Sequence, residues 1–77
     1  MATVLEEKRA LTSVAKVIEI TAESSESFED AIGKGIVKAS ETVDGIKSAW
    51  VEGQQVRVED GKVVAYRVDL KLTFVLH

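Results

Sequence analysis

The chain has 77 residues, 45% hydrophobic and 30% charged, and ten Lys and Arg against thirteen Asp and Glu leave a net charge of −3. Without Cys there is no disulfide framework, no thiolate metal site and no thiol nucleophile. No apolar run reaches the ~20 residues of a membrane span, and the acidic balance argues against a binder of nucleic-acid backbones.

Size adds a constraint. A domain below ~80 residues rarely gains more than ~3–5 kcal/mol from one core unless something staples it. Disulfides are absent and no metal motif is visible, so oligomerisation is the expected staple.

Residues 1–12 (MATVLEEKRALT) form an N-terminal extension ahead of a single domain at 13–77. Glu6, Glu7, Lys8 and Arg9 interrupt any apolar stretch, so this is not read as a secretory signal, and a cytoplasmic protein is expected. Residues 13–22 are rich in Val and Ile and predict a strand. The small polar run that follows supplies Ser24 or Ser25 as a helix cap. Glu26, Glu29 and Asp30 then place negative charge near the positive end of a helix dipole. Phe28, Ala31, Ile32, Ile36, Ala39 and Val43 recur at helical spacing, predicting a helix over about 25–43 that exits at Asp44-Gly45. Gly33 and Gly35 inside it point to a close approach by another backbone, since each costs roughly 1 kcal/mol against Ala.

A second strand is predicted over 46–59. Ala49 and Val51 are apolar on one parity and Val56 and Val58 on the other, with Gly53 between. Such a phase slip at a glycine marks a bulge or bend. Asp60-Gly61 reads as a tight hairpin turn. The third strand, 63–76, alternates most cleanly: Val64, Tyr66, Val68, Leu70, Leu72, Phe74 and Leu76 against Arg67, Asp69, Lys71 and Thr73. The order is β-α-β-β, an α+β fold with one helix on a three-stranded antiparallel sheet. Fourteen extended residues span roughly 45 Å, more than the helix covers, so the strands bend around it or bury their ends against neighbours.

Catalysis finds little support. The one His is the last residue, His77, and is read as a solvated tail. There is no nucleophile elbow or Walker loop, and Gly33-x-Gly35 falls within the helix rather than after a strand. The carboxylates lack the spacing of an EF-hand loop. Trp50, the sole Trp, is read as core or interface packing, with a ligand platform as the alternative. Arg67 is a strong donor to carbonyl, carboxylate or phosphate groups, the alternative being an ion pair across strands or subunits.

The stretches KVIEITAESSESFEDAI at 16–32, KASETVDGI at 38–46 and AYRVDLKLTFVL at 65–76 together resemble the dodecin family. The resemblance spans 14–76. It implies a hollow homododecamer that binds and stores flavins (riboflavin, FMN or FAD) between subunits without turnover. In typical members a Trp stacks on the flavin ring and a Gln on the last strand bonds its edge. In this register those positions fall on Ser48 and Arg67, which resembles instead a Trp-less branch for which calcium binding has been proposed. Trp50 lies one pleat beyond Ser48 on the same face, either stacking on a ligand from a shifted position or, as favoured, buried against a neighbouring subunit. The expected ligand-binding residues are therefore Ser48, Trp50 and Arg67, with flavin or a related planar anion as ligand and calcium, or a purely structural shell, as the alternative. Self-association is expected, and neither nucleic acid nor membrane is an expected partner.

Overall fold

In a computed structural model, residues 14–76 are described; the predicted extension at 1–12 and His77 lie outside them. Strand β1 runs Val14–Ser24, helix α1 Phe28–Ser40, strand β2 Ile46–Glu59 and strand β3 Lys62–Leu76. The sheet order is β1-β3-β2, antiparallel throughout. The strand with the cleanest alternation is thus the central one, and it explains the core: Val68, Leu70 and Leu72 of β3 are fully buried with Ala31 of the helix.

The helix starts later than its sequence suggests. Ser27, extended at φ −169, is the cap, its hydroxyl accepting the Asp30 N–H at 2.9 Å. Ser24 serves a different purpose. It is buried, donates to Asp30 Oδ2 at 2.6 Å and accepts the Glu26 N–H, tying the end of β1 to the first helical turn. Regular helix stops at Ser40 rather than 43. Beyond it, the Thr42 and Val43 N–H groups both bond to the Ala39 carbonyl, and Gly45 turns the chain at φ +76.

The two helical glycines differ. A Cβ on Gly35 would lie 2.9 Å from the Ala22 Cβ of β1, so the helix seats on the sheet there; at Gly33 nothing lies within 4 Å. The expected close approach belongs to Gly35 alone. Phe28 meets Tyr66 edge-on, ring centroids 5.1 Å apart, closing the core at the start of the helix.

The bulge expected at Gly53 is present as a register shift between Val51 and Gly53. It returns Val51 and Val56 to the helix side of the sheet, opposite Leu70 and Tyr66. The hairpin turn also forms as predicted, with Asp60 at φ 50 and Gly61 at φ 75 between Glu59 and Lys62.

Thirteen helical residues span about 20 Å, so the helix leaves the distal hairpin uncovered. There Val56, Val58 and Val63 are exposed, as are Val14, Val17 and Leu76 at the other end. The strands therefore run past their own helix and leave apolar side chains uncovered at both ends of the sheet.

Candidate functional site

The face of the sheet away from the helix carries the polar set. Because β3 is central, each of its odd positions is flanked by a residue of β1 and one of β2, and the registers sort these into four rows. Thr73 lies between Val17 and Ser48, Lys71 between Glu19 and Trp50, Asp69 between Thr21 and Gly53, and Arg67 between Glu23 and Gln55. Successive rows are about 6.5–7 Å apart.

This places the sequence-derived residues. Ser48 and Trp50 occupy adjacent rows, on one face as expected. Trp50 is 69% exposed, so it has no place in the protomer's core. Arg67 lies two rows from Trp50, roughly 13 Å along the strands. A single protomer therefore brings Ser48 and Trp50 together but keeps Arg67 apart.

The alternation of β3 puts Asp69 and Lys71 on this face but does not show which groups of β1 and β2 meet them. The Lys71 ammonium lies 6.0 Å from the Trp50 ring centroid, 3.2 Å from Glu52 and 3.8 Å from Glu19. Glu52 reaches it because the bulge leaves it as the extra residue of β2. Thr21 donates to Asp69 at 3.0 Å. Around these groups lies an open groove of about 510 Å³ lined by Glu19, Thr21, Glu52, Gly53 and Asp69. Gly53 borders it, and a Cβ there would make only an ordinary contact, 3.6 Å from Asp69 Oδ2. The signal for this groove was the phase slip at Gly53, which marks a bulge or bend but does not show which side chains the bulge brings together.

The groove carries three carboxylates against one ammonium, so it favours cations. Among the described residues of one protomer, no three carboxylates come close enough to share a metal ion. The ion pairs are solvent-exposed, and such pairs contribute only about 0–1 kcal/mol each, so the groove is free to rearrange.

Fold and face together define a small α+β protomer with one sheet face packed on a helix and the other open, polar and grooved. The chain belongs to the dodecin family, whose sequence profile matches residues 14–77. It is 36% identical over 62 residues to calcium dodecin of Mycobacterium tuberculosis, covering 80% of this chain and 87% of that one. The crystal structure of that calcium dodecin, described as having a novel calcium-binding site, superposes with a TM-score of 0.73 over 84% of this chain and 93% of its own. Dodecin from Streptomyces coelicolor superposes with a TM-score of 0.81 at 27% identity, over 86% of this chain and 94% of that one. Among the described residues no helix is long and apolar enough to cross a membrane.

Proposed function

We propose that this protein is a calcium-binding dodecin: a homododecameric shell that holds an ion between subunits and carries out no turnover. The body of the subunit is 13–77, and 1–12 is an appendage to it. The observation that carries the reading is the acidic groove of Glu19, Glu52 and Asp69 beside Thr21, in a chain 36% identical to a calcium dodecin. Calcium takes 6–8 oxygen ligands. One protomer supplies carboxylates that do not converge, so the ion completes its shell with oxygens from across a subunit boundary. Lys71 leaves Glu19 and Glu52 as calcium enters.

Calcium titration followed by thermal unfolding tests this. Tm should rise with calcium and return on chelation, because a ligand at a hundred times its Kd stabilises by about 2.7 kcal/mol. Asp69→Asn should abolish the rise. A Tm indifferent to calcium and chelator removes this reading.

The exposure of Trp50 supports a second reading, a shell storing flavin or another planar anion. Trp50 is then the stacking surface, Ser48 lies beside it, and Arg67 of an adjoining subunit is the anion donor. Saturable quenching of riboflavin fluorescence that Trp50→Ala removes would support it; unchanged affinity in that variant would end it.

A further inference from the structure

The row at Arg67 differs from the rest of the open face. Glu23 lies directly opposite Arg67 in the β1–β3 register, the usual arrangement for a cross-strand ion pair. Among the described residues Arg67 nevertheless forms no ion pair. The Glu23 carboxylate reaches Arg57 Nε of β2 instead, at 3.4 Å. Arg57 faces Ala65, one step along β3 from Arg67. The bridge therefore runs from one edge strand to the other, over the central strand. This accounts for Ala65, which is only 3% exposed although it lies on the helix-free face. Two guanidinium groups thus stand beside one carboxylate, which pairs with Arg57 alone, and these three side chains carry a net +1 in a chain of net −3. Gln55, exposed and directly across from Arg67, adds an amide donor.

We infer that Arg67, Gln55 and Arg57 form a binding site for a phosphate-class oxyanion. Guanidinium forks match the oxygens of a tetrahedral oxyanion and bind them bidentately. Two forks and an amide on adjacent positions offer donors to several phosphate oxygens at once. Glu23 is the competing anion: its bridge to Arg57 is exposed and long, so an arriving phosphate displaces it. The site does not depend on calcium or on Trp50. Its ligand is either free phosphate or the phosphate of a larger phosphomonoester.

The test uses the full-length assembly in calcium-free buffer, titrated with inorganic phosphate and followed by calorimetry. Saturable binding with a Kd on the order of 1 mM is expected for a few charge-assisted contacts at a hydrated surface. It should weaken steeply in 0.5 M salt, where the Debye length falls to about 4 Å. Arg67→Gln should weaken binding about tenfold, the loss of one charge-assisted contact. Glu23→Gln should tighten it about threefold by removing a competing anion held only by an exposed bridge. FMN and riboflavin separate the sources: FMN binding tighter than phosphate, with Arg67→Gln hurting FMN and not riboflavin, assigns a phosphomonoester, whereas FMN no tighter than phosphate assigns the free ion. Absence of saturable millimolar binding overturns the inference. So does an Arg67→Gln variant that dissociates the assembly but binds phosphate unchanged, which would give Arg67 to a carboxylate of a neighbouring copy. Should Arg67→Gln not assemble, Glu23→Gln decides, and unchanged affinity in it overturns the site.

Discussion

Leu70 and Asp69 are neighbours in sequence and opposite in circumstance. Leu70 is 1% exposed beneath the helix; Asp69 sits on the open face, accepting a hydrogen bond from Thr21 and bordering a groove. Arg67 with Val68 and Lys71 with Leu72 repeat the contrast. The covered face is governed by volume and by removal of apolar surface from water, where most of the stability resides. The open face is governed by charge and geometry, and most changes there are nearly free in stability. A sheet of this kind can therefore vary its ligand chemistry without renegotiating its fold.

The largest effect should come from Leu70→Ala. Truncating a fully buried Leu costs about 2–5 kcal/mol, comparable to the whole stability of a domain this small. Urea denaturation at fixed subunit concentration should show a collapsed midpoint or no assembled protein. Asp69→Asn is the matched control. It retains an acceptor for Thr21 and should stay within about 0.5 kcal/mol of the parent in the absence of calcium. If both variants lose stability equally, the two faces are not independent.

The covered face was legible in the sequence because burial leaves a periodic record. The even positions of β3, the helical stripe from Phe28 to Ala39 and the Asp60-Gly61 turn each follow a repeat or a backbone rule local to a few residues. The helix boundaries were less legible. Ser24, Ser25 and Ser27 are chemically equivalent as caps, and what separates them is that Ser24 is held at the end of β1 by its bonds to Asp30 and Glu26. The open face was least legible. Arg67, Asp69 and Lys71 share a parity, but their neighbours come from β1 and β2 through long-range register. That Glu52 meets Lys71 depends on the bulge at Gly53, and that Glu23 meets Arg57 depends on β3 being central. Trp50 illustrates the same point: composition favours burial for a lone Trp, and its exposure follows only from the side of the sheet it occupies.

The two glycines of α1 carry the same comparison onto the helix. Gly35→Ala pushes a Cβ to 2.9 Å from Ala22, a contact between two groups with no flexible end. Overpacking of that kind costs about 1–3 kcal/mol, only partly offset by the ~1 kcal/mol gain in helix propensity. Gly33→Ala meets nothing and should keep that gain, stabilising by about 0.5–1 kcal/mol. The pair moves the denaturation midpoint in opposite directions by the same chemical change. Stabilisation by Gly35→Ala would show that the helix is not seated on Ala22.

Ser27→Ala should cost about 1 kcal/mol, the usual loss of an N-cap, and should do so at every pH. Asp30→Asn is smaller and depends on pH. The Asp30 carboxylate accepts the Ser24 hydroxyl at 2.6 Å and the Lys34 ammonium at 3.0 Å. Those two contacts, the Ser24 bond foremost, hold its pKa below the ordinary 3.8. A carboxyl whose folded pKa is depressed contributes stability that is fully present above its unfolded value and is lost as pH falls through the folded one. Lys34 is the mirror case. The Asp30 hydrogen bond raises its pKa above 10.5, so its share is present below that value and is lost as pH rises through the raised one. The difference in Tm between parent and Asp30→Asn should therefore be level through neutral pH, narrow in strong acid and narrow again in strong alkali. Ser27→Ala provides the reference, because its backbone bond does not titrate. If the Asp30→Asn difference stayed constant into acid, the tie between β1 and the helix would rest on the shape of the side chain rather than on its charge.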